Sequence, residues 1–470
     1  MMRITPMVRI ISIILFVQLC WLSVSAQVGR ERIVKPAELA VMIDSIAKLV
    51  EQKYIHVDMG HKTGDYVKAR FEEGAYDGLS LDSLGRALRT DFLTVSDDVH
   101  MNAFYLQQEN TTQESMLSSK LDEYGESSNY GYVETRISKD NIGYLKIAHF
   151  TKWKFLEEAK QAATNAVKMI QHTDALIIDV RGNPGGFEDI VAHMMAHFFE
   201  GEPILLQEYY CRYLDSRNSV GINPAGQAIS LPEIPIYILV DYDTGSAGES
   251  FAYMMKHLGR AKIIGDTTVG AGNGATYFRV NEEFVVQIAT WETINAVTKT
   301  SWEKVGVIPN IQTTSAAAYD TAMVLAQASR KIYRAAKVKK YEKVLEDFDQ
   351  AIVSYEQNDS DSMLIANLRQ CHKLGFFDEN SINNMGYQYF GQTGKTEVAE
   401  AIFKANTLLY PNSANVYDSY AEGLIANEKL ALAVENYQKA VSIAQMNQDP
   451  NLTLFQENLA KLKAQIDSKP

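Results

Sequence analysis

The sequence predicts an α/β core, a mixed and mostly parallel sheet with helices on its faces, between a small helical domain and an all-α repeat domain. Three observations predict this order. Apolar residues recur at helical spacing in the first hundred residues, short apolar strands alternate with helices in the middle, and the chain beyond Gln312 is almost wholly helical.

The N-terminal elements begin with a leader. Arg3 and Arg9 precede an apolar run over residues 10–24 that ends in small residues, as in a secretory signal peptide covering residues 1–26. This run is shorter than the ~20 residues that a membrane-spanning helix needs. We therefore expect a periplasmic or secreted protein with no membrane anchor after cleavage.

A helical domain is predicted over residues 27–106, where a helix stripe begins at Leu39 and further helices lie near 66–71 and 81–92. The polar segment 107–129 is predicted to be a linker. The α/β core follows over residues 130–325. It begins with a hairpin, VETRIS and IGYLKIAHF around a KDN turn, and continues with the buried-type strands ALIIDV, IYILV and AKIIG between helices.

The C-terminal part is predicted to comprise a helical connector over residues 326–378 and tetratricopeptide-like repeats over 379–470. Ala399 and Phe403 reappear as Ala433 and Tyr437, a shift of 433 − 399 = 34 residues, which resembles that repeat. Such repeats offer grooves for a peptide or a protein partner, or they pack on the core.

Charge and cysteine content exclude several classes of function. A formal net charge of −13 argues against nucleic acid or anionic membrane as the main partner. Cys211 and Cys371 remain after leader removal, too few for a disulfide scaffold, and we expect them to be buried. His193 and His197 share a helical face, but no third metal ligand is evident. We expect neither a metal nor a cofactor.

The segment DVRGNPGG at 179–186 is a strand that ends in a glycine-rich turn before a helix. Backbone N–H groups of such a turn can hold an anion. The glycine spacing matches neither nucleotide-binding pattern, so an oxyanion hole for acyl transfer is the better interpretation, with a plain structural turn as the alternative.

The segment YILVDYDTGSAGES places Ser246 after a strand, at the start of a helix and among small residues. Small neighbours would let a substrate carbonyl approach the hydroxyl. Thr244 departs from the G-x-S-x-G elbow, so an α/β-hydrolase is not indicated. By itself, a serine at this position is more often a helix cap.

Four motifs in order carry a resemblance to a known family: DVRGNPGG, TGSAGESFA after its strand, GRAKIIGDTTVGAGNG and WEKVGVIPNIQ. Together they resemble the tail-specific or C-terminal processing proteases over roughly residues 35–325. The resemblance implies Ser246 as nucleophile. It also implies the N–H groups of Ala247 and of Gly185 or Gly186 as oxyanion donors.

The base distinguishes two branches of this family. The branch named for C-terminal processing uses a lysine where this chain has Ala271, and the sequence leaves no room for that branch's PDZ module. The other branch resembles the tricorn protease core and interphotoreceptor retinoid-binding protein. Its tricorn-like members use an N-terminal histidine, and SDDVHMNAF offers His100 as base, with Glu303 in SWEKVGVIPN as the orienting acid. Val99 stands where tricorn has a serine before its histidine.

The sequence therefore predicts an exported serine endopeptidase that cleaves peptides or unfolded proteins through an acyl-enzyme on Ser246, with His100 as general base and acid. The alternative is a noncatalytic protein that binds a peptide or an apolar ligand with the same fold. Structural roles for His100 and Glu303 also remain open.

Overall fold

The computed structural model describes residues 32–106, 124–151, 153–358, 361–392 and 394–468. The predicted signal peptide and residues 107–123 of the predicted linker lie outside these ranges. Residues up to Tyr333 form one compact unit, and residues from Arg334 form a second. The domain boundaries inside these units remain predictions. No helix within the described ranges is both long and apolar enough to cross a membrane.

The first unit opens with three helices and a strand: α1 (Pro36–Lys53), α2 (Val57–Glu72), α3 (Leu81–Ser96) and β1 (Asn102–Tyr105). The predicted helices are confirmed, whereas β1 was not predicted. Serine 80 caps α3 by accepting a hydrogen bond from the N–H of Ser83. The apolar stripe of α1, which includes Leu39, Ile43 and Ile46, is buried as predicted.

Two sheets follow. Their strands are β2 (Tyr132–Ile137), β3 (Ile142–Ile147), β4 (Ala175–Asp179), β5 (Ile204–Cys211), β6 (Ser216–Ile222), β7 (Ile236–Val240), β8 (Lys262–Gly265), β9 (Gly274–Arg279), β10 (Phe284–Asn295) and β11 (Ile311–Gln312). The helices among them are α4 (Leu156–Ile170), α5 (Glu188–Ala196) and α6 (Ala247–His257).

The central sheet has the order β11-β8-β7-β4-β3-β2 and is parallel except for the β2–β3 hairpin. This confirms the predicted mixed, mostly parallel sheet and its hairpin. Strands β4 and β7 are buried on both faces, which is why they read as unbroken apolar runs. One face packs on α4, α5 and α6, in a core that includes Val167, Met194 and Phe251.

The second sheet is antiparallel, with the order β1-β10-β5-β6 and with β9 paired to β10. It was not predicted. Its long strand β10 packs against the N-terminal helices, because Phe284, Val286 and Ile288 share a buried cluster with Leu39 and Phe92. This packing brings the end of α3 and strand β1 to the same side of the unit as the loop before β9.

The second unit is all-α, which confirms the predicted helical C-terminal region. Helix α7 (Ser315–Asn358) enters it from the first unit. It is followed by α8 (Asp361–Lys373), α9 (Glu379–Phe390), α10 (Thr396–Leu409), α11 (Ala414–Ala426), α12 (Leu430–Asn447) and α13 (Leu452–Asp467). The repeated positions Ala399, Phe403, Ala433 and Tyr437 are buried in α10 and α12. Their identity as tetratricopeptide repeats remains a prediction.

Candidate active site

Ser246 lies between β7 and α6, on the wall of a cavity of about 460 Å³. Its backbone has φ 47° and ψ −116°, a conformation that costs free energy for any residue with a Cβ atom. Its N–H donates to Glu249 Oε2 at 2.9 Å. The first turn of α6 thus stabilises this strained conformation through Glu249, and Ser246 lines the cavity.

The carboxyl group of Glu249 is fully buried and binds two segments together. Besides the Ser246 N–H, it accepts hydrogen bonds from Thr268 Oγ1 at 2.5 Å, Gly270 N–H at 2.7 Å and Ala271 N–H at 2.8 Å. Burial raises the pKa of Glu249, although these donors oppose the shift. Glu249 is thus the capping partner at the start of α6, and the same carboxyl group also fixes the loop before β9.

The glycine-rich turn after β4 contacts the serine turn through Asn183. This side chain is buried, and its Oδ1 accepts the N–H of Gly185 at 2.8 Å. The carbonyl oxygen of Asn183 accepts the N–H of Gly245 at 2.8 Å. Gly185 has φ 112°, and a Cβ atom there would lie 2.7 Å from Ser246 Cβ. Glycine is therefore required for the two turns to approach each other.

Two backbone N–H groups near Ser246 belong to residues that line the cavity, Gly186 and Ala247. Gly186 lies between residues that pair with Phe150: the Phe150 N–H donates to Gly185 O at 2.8 Å and the Phe187 N–H donates to Phe150 O at 2.6 Å. The N–H of Gly186 therefore points away from that pairing. Ala247 is the first residue of α6, where an N–H has no acceptor within the helix.

Gly186 and Ala247 both line the cavity. The N–H of Gly185 is already bonded to Asn183, so Gly186 is the candidate donor of the predicted pair.

His100 reaches the same cavity from the end of α3. Its N–H donates to Asp98 Oδ1 at 2.9 Å, and its ring Nδ1 lies 3.6 Å from the same oxygen. The Asp98 side chain is fully buried, whereas 14% of the His100 side chain is exposed. Asp98 Oδ2 accepts from Tyr54 OH at 3.1 Å and Asn273 Nδ2 at 3.0 Å.

The charge on Asp98 is stabilised by these contacts. Burial by itself would raise the pKa of Asp98, but the contacts with His100 and Asn273 outweigh it and lower the pKa. Sequence reasoning missed Asp98. An acidic residue two positions before His100 is a signal for an Asx turn, and it could have indicated the contact.

Glu303 lies beside Asp98 and His100, next to the loop before β9. Its Oε2 accepts the N–H groups of Gly272 at 2.7 Å and Asn273 at 2.9 Å. Burial and then the charge of Asp98 raise the pKa of Glu303 to about 7, against the effect of these N–H groups and of His100. No hydrogen bond joins Glu303 to His100 in the described ranges.

The other predicted features are placed as follows. Ala271 is buried beside the cavity, and no lysine is among the described residues that line it. His193 and His197 both contact Thr164 Oγ1, at 2.9 and 3.4 Å. In the described part of the chain, no three His, Cys, Asp or Glu side chains are grouped to hold a metal ion. Cys211 and Cys371 are free and buried, as predicted.

These groups together are those that acyl transfer uses: a serine at a helix start, an imidazole beside a carboxylate, and paired N–H donors. The site thus has the composition of a serine hydrolase site. Residues 141–313 match the family described as Peptidase family S41. The predicted resemblance to C-terminal processing proteases is confirmed for that segment.

Among curated relatives, the carboxy-terminal processing protease CtpB of Bacillus subtilis is 27% identical over 139 residues, which are 30% of this chain and 27% of the relative. The chloroplastic carboxyl-terminal-processing peptidase 2 of Arabidopsis thaliana is 30% identical over 176 residues, 36% of this chain and 31% of the relative. The chain thus spans about a third of the length of these relatives.

Solved structures with a similar fold include the photosystem II D1 C-terminal processing protease, with 15% identity and a TM-score of 0.40 over 60% of this chain and 94% of the other. The tricorn protease has 13% identity and a TM-score of 0.41 over 64% of this chain and 37% of the other. These identities and TM-scores are too low to support a conclusion about function.

Proposed function

We propose that this chain is a serine endopeptidase that cleaves peptides or unfolded proteins through an acyl-enzyme on Ser246. The observation that supports this most is the position of Ser246. It lies on a strained turn that faces a cavity also lined by His100, Gly186 and Ala247. The S41 match of residues 141–313 contains the serine and both N–H donors.

In the proposed reaction, Ser246 Oγ attacks the carbonyl carbon of the substrate while its proton passes to the ring nitrogen of His100 that faces away from Asp98. The N–H groups of Gly186 and Ala247 stabilise the negative charge that develops on the carbonyl oxygen. His100 then gives the proton to the leaving amine. A water molecule, activated in the same way, hydrolyses the ester on Ser246.

The two carboxyl groups have different proposed roles. Asp98 Oδ1 lies 3.6 Å from His100 Nδ1, and the lowered pKa of Asp98 favours its charged form. We therefore propose that Asp98 orients His100 and stabilises the imidazolium that forms. Glu303 is the acid that the resemblance implies. It accepts hydrogen bonds from the N–H groups of Gly272 and Asn273 and so fixes their loop. Its role is then to position Asn273, which in turn contacts Asp98.

We further propose that the chain is exported by the leader at residues 1–26. The C-terminal helices are proposed to offer a groove for a peptide or a protein partner. Nucleic acid is not proposed as a partner, because the formal net charge is −13.

The test is hydrolysis of fluorescently labelled casein by the mature chain. We expect Ser246→Ala to lose activity on the order of 10⁵-fold, and the exposed Ser442→Ala to keep it. Equal hydrolysis by Ser246→Ala and the parent would exclude Ser246 as nucleophile. Absence of hydrolysis in the parent would favour the noncatalytic binding alternative.

A further inference from the structure

One wall of the cavity beside Ser246 carries polar side chains that the proposed reaction does not use. Ser250 follows Ser246 by one turn of α6, and its Oγ donates to Glu188 Oε1 at 2.7 Å. Gln207 Nε2 donates to the same oxygen at 2.9 Å and also contacts Tyr209 OH. Glu188, Tyr209 and Ser250 line the cavity. We call these four residues the polar wall.

The polar wall contains an acceptor that the described part of the chain leaves without a partner. Gln207 is completely buried, and its Oε1 has no hydrogen-bond donor within the described ranges. An unsatisfied buried acceptor costs about 1–3 kcal/mol, so native proteins rarely keep one without a reason. The other end of the same amide, Nε2, contacts Glu188, Tyr209 and Ser250, which line the cavity, so the amide adjoins the place where a bound side chain would lie.

The charge around the polar wall is negative. Asp189 also lines the cavity, next to Glu188, and no lysine or arginine is among the described lining residues. Burial raises the pKa of Glu188 to about 7, against the hydrogen bonds from Ser250 and Tyr209. A cation that arrives with the ligand would favour the charged form of this carboxyl group.

We infer that the polar wall is the subsite for the substrate side chain next to the cleaved bond, and that it selects lysine or arginine. This inference rests on the proposed function, because it names a side chain taken by the same site. A lysine or arginine side chain brings several N–H donors and a positive charge, which the carboxyl group of Glu188 at the cavity wall can accept and balance. The cavity of about 460 Å³ has room for such a chain. An acidic side chain would be repelled by Glu188 and Asp189, and an apolar one would bring no counter-charge to them.

The experiment uses three peptides that are identical except for lysine, norleucine or glutamate on the N-terminal side of the cleaved bond. Binding to the Ser246→Ala variant is measured by fluorescence anisotropy, and kcat/KM is measured with the parent. We expect lysine to exceed norleucine by about tenfold in both, and glutamate to be weakest. In Glu188→Gln the lysine preference should disappear, whereas the exposed Glu202→Gln, which does not line the cavity, should keep it.

If the parent cleaves the norleucine and lysine peptides with equal kcat/KM, the inference is wrong. This comparison needs no variant, so it remains decisive even if Glu188→Gln does not fold. A lysine preference that survives in Glu188→Gln would also overturn it. Lysine-selective binding to Ser246→Ala, with no hydrolysis by the parent, would support the subsite and contradict the proposed peptidase. Hydrolysis without lysine preference would support the proposed peptidase and contradict the subsite.

Discussion

The two halves of the candidate site are built in different ways. The serine half, from the glycine-rich turn to Glu249, lies in loops of the central sheet and inside the segment that matches Peptidase family S41. The base half consists of His100 and Asp98, which follow α3 and lie outside that segment. Tertiary contacts, such as the one between Asn273 and Asp98, join it to the serine half. The serine half is therefore a local property of two motifs, whereas the base half depends on tertiary packing.

The largest effect that sharpens this comparison is expected from His100→Ala. Loss of a general base should lower kcat/KM for peptide hydrolysis by about 10²–10⁴-fold while the serine half stays intact. The exposed His61→Ala, in the same helical region, is the matched control and should stay within twofold of the parent. Activity of His100→Ala within a few-fold of the parent would remove His100 from the site.

Asp98→Asn should have the next largest effect, a fall of about 10²-fold in kcat/KM, because a misplaced base costs less than a missing one. The change also disturbs the contacts with Tyr54 and Asn273, so thermal unfolding is measured in parallel. If Asp98→Asn keeps full activity, the carboxyl group that orients His100 must be sought elsewhere.

Much of the serine half could be predicted because its signals are contiguous. The turns around Gly186 and Ser246 are each a strand, small residues and a helix start, as the sequence predicts, whereas their approach to each other was implied only by the resemblance. The base half was only partly predicted. His100 and Glu303 came from a resemblance, while Asp98 was missed because its role depends on Tyr54 and Asn273, which are distant in sequence.

The polar wall could not be predicted for the same reason. Glu188, Gln207 and Ser250 come from α5, β5 and α6, and only the pairing of the antiparallel sheet with the core brings them together. That sheet was itself unpredicted, since β5, β6 and β9 show neither the unbroken burial of the central strands β4 and β7 nor a regular alternation of buried and exposed residues.

A smaller effect concerns Glu303 and pH. Its pKa is raised from 4.5 to about 7 in the folded chain, so the folded state binds more protons and the free energy of unfolding falls as pH rises through this interval. Glu303→Gln should remove that contribution and make the fall shallower, by at most about 1.4 kcal/mol per pH unit. Urea unfolding between pH 5 and pH 8 measures it, with the exposed Glu282→Gln as control. An unchanged slope would contradict the raised pKa.

The most direct test of the central claim is the site of covalent labelling by a fluorophosphonate probe, identified by mass spectrometry of the folded chain. We predict modification at Ser246 in the parent, slower modification of the same residue in His100→Ala, and none at that position in Ser246→Ala. Folded parent protein that stays unmodified at Ser246, or is modified at another serine instead, would contradict the account.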